Sequence, residues 1–152
     1  MKYFFISFFI VLSVHSNEIK FEDFNLPVFE GQETLALEKL RGKKVVINFF
    51  ASWCTACIKE LPELNELKTQ NNQNYKFLAI NAGENNKTIK KFLNRYEFPY
   101  TILTDENREF SKKIGVNELP HTLIIDETGK VVYSNKLPPK QEQMDGLNGK
   151  SQ

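Results

Sequence analysis

The chain has 152 residues, of which 41% are hydrophobic and 26% charged, and its formal net charge is +1. This is the composition of one globular domain, long enough to bury a core without disulfide staples. The near-neutral charge and the lack of a basic run argue against a nucleic-acid-binding protein, which needs a clustered positive surface.

The N-terminal residues have the pattern of an export signal. One lysine, Lys2, is followed by an apolar run from Tyr3 to Val14 that two serines interrupt. This run is shorter than the roughly 20 residues that a membrane-spanning helix needs. We therefore expect residues 1–16 to be a signal peptide that is cleaved before Asn17, with an uncleaved anchor as the alternative. Export would bring the protein to the periplasm or the outer face of the cytoplasmic membrane of a bacterium.

Beyond the signal, strand patterns alternate with helix patterns. Short runs rich in β-branched and aromatic residues predict strands at 34–37, 45–50, 76–81, 101–103, 122–125 and 130–134. Apolar residues at helical spacing predict helices at 54–70, 86–96 and 109–114. Pro62 lies inside the first helix and predicts a kink there. The alternation, followed by a hairpin, predicts an α/β domain with a sheet of mixed direction.

The predicted domain ends before the C-terminal segment. We assign residues 17–137 to the domain and 138–152 to a flexible tail, because the tail has two prolines, two glycines and few apolar residues. At most, the tail forms a short helix around residues 140–144.

The two cysteines, Cys54 and Cys57, follow the strand at 45–50 in a Cys-x-x-Cys arrangement. A loop of this size constrains the unfolded chain very little, so it is a poor structural staple. A structural zinc site needs four ligands, and two cysteines with two histidines, one of them in the signal, do not supply it. The pair is therefore predicted to be redox-active. Because Cys54 begins a helix, backbone N–H groups favour its thiolate, and Cys57 is close enough to resolve a mixed disulfide.

Glu60 lies three residues after Cys57, within the apolar sector of the same predicted helix. Burial would raise the pKa of this carboxyl, and a carboxyl near a thiol pair can carry the proton that exchange must move. The alternative is a border residue that reaches solvent. The proton-carrier hypothesis predicts that Glu60→Gln shifts the pH dependence of cysteine reactivity.

Three other residues near the cysteines have two interpretations each. Trp53 either shields Cys54 and offers a flat surface to a partner, or is a core aromatic. Asn48 interrupts the buried strand, and we interpret it as a local hydrogen-bonding residue without chemistry. His121 is interpreted as a surface or edge histidine in preference to one that tunes a thiol.

The segment VVINFFASWCTACIKELPEL resembles the active-site segment of the thioredoxin superfamily. The resemblance is strongest to the TlpA/ResA-like branch of extracytoplasmic thiol-disulfide oxidoreductases. KFLAINAGEN resembles the second core strand of that branch with its following loop, and FPYTILTDENREFSKKIGVNELPHTLIIDETGKVVY resembles its closing stretch. The resemblance covers roughly residues 24–134.

This resemblance implies a thioredoxin-like fold: a central mixed sheet flanked by helices, with an N-terminal strand extension and a shortened C-terminal helix. It implies that Cys54 is the exposed nucleophile and Cys57 the resolving thiol. It also implies a cis Leu119–Pro120 bond that faces the cysteines and receives a substrate strand. Glu60 matches an active-site glutamate of the ResA-like branch.

At three positions the sequence has a residue other than the one usual in the thioredoxin superfamily. Asn48 stands where cytoplasmic thioredoxins have a buried acid, so the resemblance implies that the proton role has moved to Glu60. Phe50 stands where the family usually has Trp, and His121 where it usually has Thr.

The leading hypothesis is an exported, monomeric reductase of selected protein disulfides. It would have no cofactor besides the Cys54–Cys57 disulfide, would be recharged by a membrane thiol-electron donor, and would have apocytochrome c among its candidate clients. One alternative is an oxidant that installs disulfides, since the potentials of such pairs span a wide range. Another is a copper(I)-binding module that uses Cys54, Cys57 and His121, because soft thiolates select that ion.

Overall fold

The computed structural model of the protein describes residues 25–149, except for the side chain of Leu37. The predicted signal peptide, residues 1–16, lies outside the described residues, as do residues 150–152 of the tail. Within the described part of the chain, no helix is both long enough and apolar enough to cross a lipid bilayer.

Strands and helices alternate along residues 25–149. The strands are β1 (Asn25–Pro27), β2 (Thr34–Ala36), β3 (Lys44–Phe50), β4 (Tyr75–Ala82), β5 (Thr101–Asp105), β6 (His121–Ile125) and β7 (Val131–Asn135). The helices are α1 (Thr55–Asn71), α2 (Asn86–Leu93), α3 (Glu109–Lys113) and α4 (Gln141–Asn148), and a 3-10 turn spans Leu37–Leu40. The strands and helices predicted between residues 34 and 134 are all present, although their ends differ by up to three residues.

The central sheet has five strands in the order β5-β4-β3-β6-β7. The pairs β3–β4 and β4–β5 are parallel, whereas β3–β6 and β6–β7 are antiparallel. All seven residues of β3 are buried, as its continuous apolar run predicts for a strand covered on both faces. The predicted α/β fold with a mixed, thioredoxin-like sheet is therefore confirmed.

A small hairpin forms the N-terminal extension. Strands β1 and β2 pair antiparallel in a separate two-stranded sheet. The residues that follow β1 join this hairpin to the central sheet, because Val28 forms a bridge with Leu103 and the Phe29 N–H donates to the Ile102 carbonyl at 2.9 Å. The prediction gave only its second strand; β1 contains a single buried residue, Leu26, and ends in Pro27, so it has no recognisable strand pattern.

The two faces of the sheet have different cores. On one face, Val45, Ile47 and Phe49 of β3 pack with Phe110 of α3. On the face covered by α1, the apolar residues fall into two clusters. The disulfide cluster consists of Phe50, Ala51, Cys54, Cys57, Leu61, Ala79, Ile89, Phe92 and Ile102. The α4 cluster consists of Val46, Leu67, Tyr75, Phe77, Ile124 and Met144.

Helix α1 spans seventeen residues and continues on both sides of Pro62, which is exposed. Its buried residues are Cys57, Glu60, Leu61, Leu64, Leu67 and Asn71, which recur at helical spacing. The helix therefore contacts both clusters, with the cysteines at its start and Asn71 at its end.

The C-terminal segment departs from the prediction. Residues 138–152 were expected to form a flexible tail with at most a short helix around 140–144, whereas α4 spans eight residues and its Met144 is fully buried. The shortened C-terminal helix expected from the resemblance is thus present, and its Met144 packs in the α4 cluster. The flexibility of residues 138–152 and the domain boundary at residue 137 stay predictions.

Polar side chains of the sheet fasten α4 through its backbone. The Tyr75 hydroxyl donates to the Met144 carbonyl at 3.1 Å, and the buried Lys44 ammonium donates to the Leu147 carbonyl at 3.0 Å. A cation at the C-terminal end of a helix is also favoured by the helix dipole. The acceptors are backbone carbonyl groups, which every residue has, so the pattern of apolar residues could not predict these hydrogen bonds.

Candidate active site

The two cysteines form a disulfide at the junction of β3 and α1. Their Cα atoms lie 5.3 Å apart, and Cys54 is the N-cap residue of the helix. The Cys54 Sγ accepts the backbone N–H of Cys57 at 3.1 Å, so a sulfur atom stands where the N-terminal N–H groups of the helix point. The sequence predicted that Cys54 and Cys57 lie at the start of a helix, close enough to form a disulfide, and this geometry agrees with that prediction.

Burial of the disulfide differs from the expectation. Cys54 is only 5% exposed and Cys57 only 3%, so the expectation of an exposed Cys54 is wrong for the oxidised protein. Both residues pack among the side chains of the disulfide cluster. The neighbouring Trp53 is instead 64% exposed, which rules out its interpretation as a core aromatic. An aromatic surface thus adjoins a nearly buried disulfide.

The peptide bond between Leu119 and Pro120 is cis, as the resemblance implied. Leu119 packs against the disulfide cluster, and Pro120 is buried. Strand β6 starts at the next residue, His121, which lies opposite Phe49 in the antiparallel register. Pro120 therefore lies at the edge of the sheet where β3 ends and the segment with Cys54 begins.

Glu60 is 8% exposed, and its Oε1 accepts a hydrogen bond from Asn48 Nδ2 at 2.9 Å. Burial raises the pKa of Glu60 from 4.5 to about 7; the bond from Asn48 lowers this pKa and the charge of Glu63 raises it. The expected buried carboxyl with a raised pKa is present, and the alternative of a border residue in solvent is wrong. Its role as a proton carrier stays a prediction.

Asn48 makes long-range contacts, so the interpretation of a local hydrogen bond is wrong. Its Nδ2 donates to Glu60 on α1 and, at 3.2 Å, to Thr122 Oγ1 on β6. One amide thus links β3, α1 and β6. The sequence could not predict these contacts, because a single polar residue in an apolar strand does not indicate its partners.

Glu84, which the sequence analysis did not single out, holds the segment before the cysteines. Its carboxylate accepts the backbone N–H of Ser52 at 2.8 Å, the Ser52 hydroxyl, and Asn81 Nδ2 at 2.8 Å. Glu84 follows β4, which lies beside β3 in parallel. A polar residue just after the neighbouring parallel strand is the signal that could have identified it, because carboxyl ends of parallel strands meet at one edge.

Arg108 braces the loop that leads to the cis proline. Its Nη2 donates to the Asn117 carbonyl at 3.1 Å. The Arg108 chain also covers Gly83, whose φ is +102°, and a Cβ there would lie 3.2 Å from the arginine Cγ and Cδ. Gly83 therefore allows both this backbone conformation and the close approach of the arginine.

His121 is half-buried, and its Nε2 lies 2.9 Å from Ser134 Oγ on the edge strand β7. Burial, helped by the charge of Lys136, lowers the pKa of His121. Nowhere in residues 25–149 do three His, Cys, Asp or Glu side chains converge on a possible metal position. In the oxidised protein His121 does not form such a group with Cys54 and Cys57, and the copper hypothesis stays an alternative prediction for the reduced protein.

The fold and the bridged cysteine pair define a thioredoxin-like protein, and comparisons with known proteins agree. The chain is 38% identical over 84 residues to the thiol-disulfide oxidoreductase ResA of Geobacillus thermodenitrificans (strain NG80-2). The aligned region covers 55% of this chain and 48% of the relative. The chain is 32% identical over 118 residues to ResA of Bacillus thuringiensis (strain Al Hakam), covering 77% of this chain and 68% of the relative. The chain thus spans between about half and two thirds of these relatives.

A solved structure of a secreted Mycobacterium tuberculosis disulfide oxidoreductase, homologous to E. coli DsbE, has the same fold. Its TM-score is 0.68 at 21% identity, over 83% of this chain and 94% of that one. Residues 17–148 match the Redoxin family, so the chain belongs to that family. The prediction of a ResA-like member of the thioredoxin superfamily is confirmed.

Proposed function

We propose that the protein is a thiol-disulfide oxidoreductase of the ResA type, which works as a reductase of selected protein disulfides. The observation that carries this proposal is the Cys54–Cys57 disulfide at the N-terminus of α1, beside the cis Leu119–Pro120 bond. Relatives that are named thiol-disulfide oxidoreductases support it.

In the reduced protein, Cys54 is the nucleophile. The Cys57 N–H and the dipole of α1 stabilise negative charge on Cys54 Sγ, so this thiol is the one that ionises more easily. The thiolate attacks one sulfur of the client disulfide, a mixed disulfide forms, and the other client sulfur leaves as a thiolate that takes up a proton.

Cys57 then resolves the mixed disulfide. Its thiol loses a proton and attacks Cys54 Sγ, the Cys54–Cys57 disulfide forms, and the bond to the client breaks. The second client sulfur leaves as a thiolate that takes up a proton from water, so the client is released as a dithiol. Two electrons pass from the protein to the client. Glu60 receives the Cys57 proton, because a carboxyl with a pKa of about 7 is partly ionised at neutral pH and can accept one.

The client docks on the surface that Trp53 and Leu119 form beside the disulfide, next to the cis bond to Pro120. The exposed ring of Trp53 supplies apolar contact area. A client strand that pairs beside Pro120 would bring its disulfide to Cys54. If Cys54 is as little exposed in the reduced protein as in the oxidised one, only a client that fits this surface reaches the sulfur, and this restricts the range of clients.

We further propose that the protein acts outside the cytoplasm, after removal of residues 1–16. The apolar pattern of these residues supports this proposal, and one solved relative is described as secreted. In that location the protein requires a thiol-electron donor in the membrane to regenerate its reduced form. Apocytochrome c is the client class that we would test first.

The reduction potential of the Cys54–Cys57 pair tests the direction of electron flow. The purified protein is equilibrated with dithiol buffers at neutral pH, and the oxidised fraction is measured by thiol alkylation and mass spectrometry. We expect a potential near or below about −250 mV, in the range of electron donors. A potential above about −160 mV would overturn the reductase proposal and favour the alternative, an oxidant that installs disulfides.

A second assay tests the client range. The reduced protein is compared with a general thioredoxin in the reduction of insulin, and we expect a much slower reaction. Equal rates would contradict selectivity without affecting the assignment as a reductase.

A further inference from the structure

A buried polar contact separates the two apolar clusters on the α1 face of the sheet. Asn48, Glu60 and Thr122 are 3%, 8% and 0% exposed, and they come from β3, α1 and β6. In β3, Asn48 lies between Val46 of the α4 cluster and Phe50 of the disulfide cluster. The three polar groups therefore depend on one another for hydrogen bonds, since water has little access.

Both side-chain hydrogen bonds of Asn48 are formed by the nitrogen of its amide group. Nδ2 donates to Glu60 Oε1 and to Thr122 Oγ1, whereas the buried Oδ1 has no partner among the described residues. A buried acceptor without a donor is unusual and requires an explanation. Here the unpaired acceptor belongs to the very side chain that contacts the carboxyl of Glu60.

The chemistry of the two partners allows both bonds to be reversed. An ionised carboxylate only accepts, but a protonated carboxyl has an O–H to donate, and the threonine hydroxyl can do either. The two ends of an amide have nearly the same shape, so a half-turn of the Asn48 side chain exchanges Oδ1 with Nδ2. After this half-turn, Oδ1 would accept from protonated Glu60 and from the Thr122 hydroxyl, and the NH₂ group would take the buried position that Oδ1 now occupies.

We propose that Asn48 is a positioning residue whose amide orientation follows the protonation of Glu60, donating to the carboxylate and accepting from the acid. In this way one side chain provides a hydrogen bond to both forms of the proton carrier. The proposal rests on the proposed role of Glu60. It explains why an amide, with a donor and an acceptor, suits a position beside a carboxyl that changes its charge.

The environment of Glu60 agrees with a group that exists in both forms. The pKa of Glu60, raised to about 7 by burial, means that acid and carboxylate are both populated near neutral pH. The titratable groups coupled to Glu60 are Glu63 on α1, Tyr100 before β5 and Tyr133 on β7. Burial raises the pKa of both tyrosines, so neither changes charge in this range.

NMR spectroscopy of the oxidised, ¹³C- and ¹⁵N-labelled protein tests the proposal. The carboxyl carbon of Glu60 is titrated, and NOEs from the Asn48 side-chain NH₂ to Thr122 are recorded about two pH units above and below the midpoint. We expect these NOEs at high pH and their loss at low pH, when Oδ1 replaces Nδ2 beside the hydroxyl. The NH₂ group of Asn71 is the internal control: it is equally buried and donates to the Leu67 carbonyl at 2.9 Å.

The variant Glu60→Gln provides the second control, because its side chain carries no ionisable proton. In this variant the Asn48 NOEs should be the same at both pH values. If the Glu60 carbon titrates in the original protein and the Asn48 NOEs persist at both pH values, Asn48 is a fixed donor and only this proposal is overturned. If the Glu60 carbon does not titrate near neutral pH, the proton-carrier role fails, and this proposal fails with it.

Discussion

The two apolar clusters under α1 have similar construction and different uses. Each combines side chains of the sheet with side chains of α1, and each is bordered by polar groups that hold a neighbouring segment. At the disulfide cluster, Glu84 holds the segment that leads to the cysteines. At the α4 cluster, Tyr75 and Lys44 hold the last helix. Hydrogen bonds between polar side chains and the backbone thus position the reactive cysteines at one end of α1 and hold α4 over the core at the other end.

This difference predicts how substitutions separate. Changes in the α4 cluster should lower the free energy of unfolding and spare disulfide exchange. Changes at the surface of the disulfide cluster should slow disulfide exchange and leave the free energy of unfolding nearly unchanged. Glu60, between the two clusters, should link stability to pH.

The largest effect is expected for Met144→Ala. Met144 is fully buried in the α4 cluster, so its truncation should lower the free energy of unfolding by about 2–5 kcal/mol. Urea unfolding of the oxidised protein measures this loss. The initial rate of client reduction under folding conditions should remain that of the original protein, because Met144 is distant in the fold from the cysteines.

The matched control is Glu142→Ala, which truncates an exposed residue in the same helix and should change stability by no more than about 0.5 kcal/mol. A loss of exchange rate in Met144→Ala as large as the loss in Cys54→Ser would show that the two clusters do not act separately.

A smaller effect, which depends on pH, is expected for Glu60→Gln. The folded-state pKa of Glu60, about 7, lies above its ordinary value of 4.5, so the folded protein binds a proton more tightly than the unfolded chain. This contribution to stability is complete below pH 4.5 and is lost as pH rises to about 7. The loss is at most about 3 kcal/mol. Glu60→Gln should remove it.

Urea unfolding of the oxidised protein at several pH values from 4 to 8 checks this expectation as the difference between the two stability curves. Glu84→Gln, which changes a carboxylate at the disulfide cluster that accepts three hydrogen bonds, is the control and should retain the fall. Parallel curves for Glu60→Gln and the original protein would show that Glu60 does not titrate in this range.

The contrast between the clusters also explains what the sequence could predict. The disulfide end was recognisable because its signals are local: the spacing of Cys54 and Cys57, the preceding apolar strand and the helical position of Glu60. At the α4 end only a short helix was predicted, and its packing was not, because this packing depends on bonds to backbone carbonyls and on one methionine. Glu84 and the contacts of Asn48 were missed for the same reason, since both join residues distant in the chain.

The smallest change in stability is expected for Trp53→Ala. Because Trp53 is 64% exposed, its removal should alter the free energy of unfolding by no more than about 0.5 kcal/mol. If clients dock on the ring, the KM for a protein disulfide should rise at least about fivefold, which corresponds to about 1 kcal/mol of docking energy. Steady-state kinetics of client reduction measure this rise. Val132→Ala, which shortens an exposed apolar residue on β7, is the control and should leave KM unchanged. An unchanged KM in Trp53→Ala would remove the ring from the docking surface, whereas a large loss of stability would show that Trp53 supports the disulfide cluster.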